Sequence, residues 1–297
     1  MPRSLEDNIR SSLVFVRFMQ TYLPLPLAGR MLKQSMRRVS LDPSIQRETV
    51  SADGVPCEWL IPQENLSDRV LLYLHGGGFV YGLTPQNLQL AGYLGQKIGA
   101  RVLMVDYRLA PNYPFPAALD DCVKAYKWLL NNGYSARNIA IAGDSAGGNF
   151  AITSMLKLRE EGIPLAAAAA CLSPVADLSK KPASDHDIKD PLLPKKAMKQ
   201  YTEAYLQGSD PSNPLISPVF GDLTGFPPLL VHAGEDEILR EDAIRLVERA
   251  KACGVDAHLE IYPRMWHVWQ IFFDLPQAKQ SLDEIAQFLR SQLDVKK

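Results

Sequence analysis

The sequence predicts an α/β protein: a mostly parallel sheet with helices on both faces. Three observations carry this. Six short, almost continuously apolar runs, at 70–74, 102–105, 139–142, 166–172, 229–232 and 259–262, suit strands buried on both sides. The segments between them are helix-length and amphipathic, the spacing of a sheet whose parallel strands are joined by crossover helices. And 297 residues, 46% hydrophobic and 22% charged, supply a sizeable core for one or two domains.

Residues 1–45 show no period-two alternation and are punctuated by Pro24, Pro26 and Gly29, so they read as helices joined by loops. From Glu48 the pattern changes: 48–50 and 57–61 read as two short strands around a turn at Ala52-Asp53-Gly54. Beyond them the strand–helix alternation begins. In 116–131, Leu119, Val123, Tyr126 and Leu130 recur every three or four residues, with Asp120, Lys124 and Lys127 between them. Similar stripes predict helices over 237–252 and 277–293. The stretch 180–213 breaks the rhythm: it is polar and Pro-rich, with one helix candidate around 195–206. It leaves the sheet, and with residues 1–45 it could form a lid.

Composition narrows the function classes. The 32 Lys+Arg against 33 Asp+Glu, a net charge of -1, give no reason to expect nucleic acid. Glu6 and Asp7 stand where a secretory signal would need a short basic stretch before an apolar run, and Arg17 interrupts the apolar residues 13–16 far short of the ~20 needed to span a bilayer. An amphipathic helix packed on its own protein is preferred over one lying on a membrane, because few basic residues are present to meet headgroups. Cys57, Cys122, Cys171 and Cys253 lack any CxxC or Cys/His metal spacing and read as free thiols, which points to a reducing, cytoplasmic location.

The chemistry is carried by local motifs. Gly143-Asp144-Ser145-Ala146-Gly147 follows an apolar strand and precedes a helix, the order a nucleophile elbow needs. Small residues let the strand reverse tightly and leave Ser145 at the apex in a strained conformation. A glycine-rich turn that binds phosphate is the bland alternative, but no G-x-G-x-x-G follows a strand and no G-K-[ST] occurs. About 70 residues earlier, His75-Gly76-Gly77-Gly78 follows another strand. N–H groups of Gly76 and Gly77, with that of Ala146, could hold a developing oxyanion, and His75 and Gly78 would shape the loop. A serine needs an imidazole to take its proton. Of five histidines, His75 belongs to the glycine loop, His186 to the polar excursion, and His232 and His258 to strands. His267 falls in a loop just past the last strand, at the carboxyl edge of a doubly wound sheet, and is the expected base. The acid is expected between serine and base in the chain. Glu235, Asp236 and Glu237 all lie in the loop after the strand at 229–232, where acids also favour a helix N-terminus; position does not choose among them.

Taken together, these residues resemble the hormone-sensitive-lipase-like esterases of the α/β-hydrolase fold. The matching pieces are His75-Gly-Gly-Gly78, Asp106-Tyr-Arg-Leu-Ala-Pro111 with Phe115-Pro-Ala-Ala118, Gly143-Asp-Ser-Ala-Gly-Gly148, Ser173-Pro174 with Asp177-Leu178, and His267. The resemblance implies an eight-stranded sheet in a catalytic domain over 46–297. It also implies a helical cap made from residues 1–45 and the 180–213 insertion. It implies serine carboxylester hydrolysis without metal or organic cofactor: Ser145 as nucleophile, His267 as base, Gly76, Gly77 and Ala146 around the oxyanion, and His75, Asp144 and Gly78 in support. The family's acid motif, D-P-L-x-D, is replaced by Glu237-Ile-Leu-Arg-Glu241, and aligning Leu-Arg puts Glu237 on the catalytic acid with Asp236 as rival. Trp266-His267-Val268-Trp269 stands where the family usually has H-G-F, and these bulky neighbours are expected to make the pocket wall tighter or more apolar. The implied substrate is a small apolar ester of short to medium chain length, with no nucleic-acid partner and no stable membrane insertion; a homodimer is compatible with this reading. The same groups could also serve an amidase, lactonase or acyltransferase, or survive in a non-catalytic ligand receptor.

Overall fold

A computed structural model describes residues 4–35, 41–63, 68–180 and 190–293. The strands are β1 (Ile45–Ala52), β2 (Val55–Pro62), β3 (Val70–Leu74), β4 (Arg101–Val105), β5 (Ile139–Asp144), β6 (Ala168–Leu172), β7 (Leu229–Gly234) and β8 (Ala257–Tyr262). The helices are α1 (Leu5–Tyr22), α2 (Leu25–Ser35), α3 (Pro85–Ile98), α4 (Ala117–Asn131), α5 (Ala146–Glu160), α6 (Lys195–Leu206), α7 (Arg240–Ala252) and α8 (Pro276–Leu293). The sheet runs β1-β2-β4-β3-β5-β6-β7-β8, antiparallel at β1–β2 and β2–β4 and parallel elsewhere.

Successive residues of a strand point to opposite faces, and here both faces are apolar. Leu72 and Leu74 join the core formed with α4, α5 and α7, whereas Leu71 and Tyr73 join that formed with α3 and α8. This two-sided burial is why the runs read as continuous hydrophobic stretches instead of alternating ones. The β1–β2 hairpin closes on Asp53 and Gly54, both at positive φ (50° and 90°), the conformation an Asp-Gly turn favours.

Two elements depart from expectation. The helix expected from residue 237 begins at Arg240. Glu237 stays in the preceding loop because its side chain turns inward, and the N–H of Ile238 is taken by the buried Asp190 carboxylate at 3.1 Å. Helix α3 adds to the helices expected from apolar stripes, and its start is fixed by Thr84 and Asn87, which form a reciprocal capping box around Pro85.

Parallel strands deliver their following loops to one sheet edge. The glycine triplet follows β3, Ser145 follows β5, Ser173 follows β6, the acidic loop follows β7 and His267 lies beyond β8. Helix α6 coincides with the helix candidate at 195–206 and, with α1, stands over this edge; residues 181–189 of the insertion, His186 among them, lie outside the described residues. Among the described residues no helix is long and apolar enough to cross a membrane.

Candidate active site

Ser145 sits between the last residue of β5 and the first of α5 with φ 53° and ψ -116°. A non-glycine residue at this φ is strained, and surrounding contacts must hold it there. They are visible: the N–H of Ser145 donates to Leu172 O (2.8 Å), and its carbonyl accepts from Val175 N–H (3.1 Å) and Asn149 N–H (3.2 Å). The turn is closed so tightly that a Cβ on Gly147 would lie 1.8 Å from the carbonyl oxygen of Leu74.

His267 Nε2 lies 2.9 Å from Ser145 Oγ. Burial pushes the imidazole down to about 3 from its ordinary 6.5, so the neutral, proton-accepting form prevails. The other described histidines are structural or remote. His75 stacks on Tyr107 at 4.1 Å, and its Nδ1–H donates to Gly76 O (2.7 Å). His232 meets Ser281, and His258 is exposed beside Asp256.

The three acids of the β7 loop separate cleanly. Glu235 accepts from the N–H of Arg264. Asp236 turns outward to a 2.7 Å ion pair with Arg10 of α1. Only Glu237 enters the interior, 4% exposed, with Oε2 accepting from Ser173 Oγ–H (2.6 Å) and Gly234 N–H (3.0 Å). Burial raises its carboxyl, with smaller contributions from Asp190 and Asp242, while those two hydrogen bonds oppose the rise. Glu237 Oε1 and His267 Nδ1 are both buried and have no hydrogen-bond partner among the described residues. One is an acceptor and the other can donate.

The glycine triplet corrects an expectation. The N–H of Gly76 is not free for an oxyanion, because it donates to Asp144 Oδ1 at 3.0 Å. The same carboxylate accepts from Tyr73 Oη–H (2.8 Å) and Asn87 Nδ2–H (3.4 Å), and burial raises it to about 6. Asp144 therefore fastens the loop to the elbow. All three glycines line the cavity, Gly77 at φ 137°, where only glycine is comfortable. No hydrogen-bond acceptor is assigned to the N–H groups of Gly77, Gly78 or Ala146 among the described residues. Gly78, expected only to support the loop, is left as a candidate donor where Gly76 is not.

A cavity of about 140 Å³ opens on Ser145 and His267. Its far wall is contributed by Leu192 and Leu193 and by Met198 and Tyr201 of α6, with Gln20 of α1 at one side. None of these was singled out as a site residue, since only the folded chain brings them to the sheet edge. A second expectation fails here. Trp266 and Trp269 do not line the cavity; they are fully buried in a cluster with Leu13 of α1, Met265 and Leu275, and Arg10 lies 5.0 Å over the Trp266 ring. Besides His267, the residues that reach the cavity from this loop are Val268 and Ile271. The tryptophans thus anchor α1, a packing role that large aromatic surfaces serve well.

With this geometry, comparison with known proteins is informative. The family described as alpha/beta hydrolase fold matches residues 71–271. An acetyl-hydrolase of Streptomyces hygroscopicus is 40% identical over 247 residues, 82% of each chain. An esterase of Acinetobacter venetianus is 33% identical over 264 residues, 88% of this chain and 87% of its own. The crystal structure of an esterase from the bacterial hormone-sensitive lipase family superposes with a TM-score of 0.90 at 39% identity, covering 99% of this chain and 100% of that one. The elbow, the glycine loop and the eight-stranded sheet are thereby accounted for together: the chain belongs to the alpha/beta hydrolase fold family, within the hormone-sensitive-lipase-like carboxylic ester hydrolases.

Proposed function

We propose that the protein hydrolyses short- to medium-chain carboxylic esters through an acyl-enzyme on Ser145, with His267 as general base and Glu237 as the triad acid. The observation that carries this reading is the 2.9 Å contact between Ser145 Oγ and His267 Nε2 at the floor of a small, mostly apolar-walled cavity. Ser145 Oγ attacks the ester carbonyl as His267 takes its proton, and the carbonyl oxygen gathers negative charge. On this reading the N–H groups of Gly77, Gly78 and Ala146 receive it. His267 then protonates the departing alcohol and activates water, which releases the acid and restores Ser145. Glu237 Oε1 accepting from His267 Nδ1–H would pair the two buried unpartnered atoms, hold the tautomer whose Nε2 is free, and stabilise the imidazolium that forms. Helices α1 and α2 with the 180–213 insertion act as the cap: Gln20, Leu192, Leu193 and Met198 close the cavity over the reacting groups.

Size supports a short substrate. An apolar cavity of roughly 150 Å³ holds a benzene-sized group, so 140 Å³ accommodates a handful of carbon atoms before the chain must leave the mouth. In a series of p-nitrophenyl esters, kcat/KM is expected to peak among the short acyl groups and fall once the chain outgrows the cavity. A peak at long-chain esters would overturn the size assignment.

Acidity gives a second expectation. Only the neutral imidazole accepts the serine proton, so kcat/KM falls as pH drops and the Glu237–His267 pair gains a proton. Burial works against the imidazolium and the Glu237 carboxylate works for it, so the expectation is the acidic fall itself. A profile that never falls in acid contradicts this.

A further inference from the structure

We infer that Ser173 is a positioning residue that holds the acid and the base of the triad in register. This rests on the assignment of Ser145, His267 and Glu237 above, and concerns a residue that does not reach the reacting atoms.

The turn after β6 is bonded to the carboxylate of Glu237, to the residue after His267 and to the backbone of Ser145. Ser173 Oγ donates to Glu237 Oε2 at 2.6 Å and accepts from the N–H of Val268, the residue after the base, at 3.0 Å. Its own N–H donates to His232 O of β7 at 2.8 Å. On either side of it, Leu172 O receives the N–H of Ser145 and the N–H of Val175 binds Ser145 O. A single hydroxyl, fully buried, therefore ties the acid's carboxylate to the base's loop, from a turn already bonded to the nucleophile's backbone.

The consequence is geometric. With Oε2 held by Ser173 and Gly234, the side chain of Glu237 is fixed and Oε1 is the acceptor left over. That is the atom the imidazole needs. Hydrogen bonds donated to a carboxylate also favour its charged form, against burial and against Asp190 before α6 and Asp242 on α7, which face the same group. Ser173 holds φ 48°, a strained value for a residue other than glycine. The strain is maintained where both hydroxyl contacts are made, the pattern expected when a special backbone conformation serves a site.

The backbone angle supplies a clean test, because glycine tolerates φ 48° and so Ser173→Gly deletes the hydroxyl without forcing the turn to change. Steady-state kinetics on p-nitrophenyl acetate should show kcat lowered about 10- to 100-fold with KM nearly unchanged, the range of a lost hydrogen bond to a charged group. The acidic limb of kcat/KM should move to higher pH, because Glu237 loses a donor that favours its ionised form. Ser173→Cys, a milder change, should fall between Gly and wild type on both measures, with circular dichroism confirming that each variant is folded. The decisive comparison adds Ser173→Gly to Glu237→Ala. If Ser173 acts through Glu237, the second substitution costs little more, whereas a merely structural role lowers kcat by the same factor in both backgrounds. Wild-type kcat with an unshifted limb in Ser173→Gly, while Glu237→Ala is inactive, would overturn the inference alone. Wild-type kcat in Glu237→Ala would overturn the acid assignment and the inference with it.

Discussion

Replacing Ser145 with alanine should lower kcat for ester hydrolysis on the order of 10⁶-fold, the scale seen when the nucleophile of a serine triad is removed. The size follows from where Ser145 sits. It is the residue at the elbow apex, its Oγ is the group 2.9 Å from His267 Nε2, and the serine N–H and carbonyl are pinned by the β6 turn. A water molecule cannot inherit that orientation, so only the background from binding and oxyanion stabilisation remains. Because Ser145 is already strained at φ 53°, alanine imposes no new backbone demand, and the fold should persist. Steady-state kinetics on a p-nitrophenyl ester, with circular dichroism to confirm folding, measure this. A loss of less than about 100-fold would mean that another group attacks the ester.

The second large effect separates two neighbouring acids. Glu237→Ala should cost about 10⁴-fold in kcat, the scale for losing the orienting acid of a triad. Asp236→Ala should leave kcat near wild type. The difference comes from direction alone: Glu237 is turned into the interior beside Ser173 and the His267 loop, whereas Asp236 faces Arg10 on the cap side. Loss of the Asp236–Arg10 pair removes a tie between α1 and the β7 loop, a cost to stability that leaves the reacting groups in place. Near-normal kcat in Glu237→Ala together with inactivity in Asp236→Ala would reverse the assignment.

Much of this molecule is legible in its sequence, and the remainder is hidden for definite reasons. Buried parallel strands announce themselves because both faces must be apolar, as at 70–74 and 139–142. The elbow is legible because the residue types its turn requires are contiguous in the chain: a Cβ on Gly147 would collide with the carbonyl of Leu74, and Ser145, two residues earlier, holds φ 53°. His267 could be chosen because strand order places its loop at the same sheet edge. What could not be read depends on where side chains point after folding. Three consecutive acids follow β7, and rotamers and partners alone separate Glu237 from its neighbours. Likewise, three consecutive glycines offer similar N–H groups until the buried Asp144 carboxylate claims the first. Trp266 and Trp269 flank the base, but local sequence cannot say that their rings turn away from the cavity to meet α1.

The central claim is that Ser145 is the nucleophile, and covalent capture tests it most directly. Incubation with a p-nitrophenyl alkylphosphonate, followed by intact-mass and peptide mass spectrometry, should show stoichiometric release of p-nitrophenol and a single phosphonyl adduct on the peptide containing Ser145. The adduct should be absent in Ser145→Ala. An unlabelled wild-type protein, or an adduct that survives undiminished in Ser145→Ala, would contradict the account.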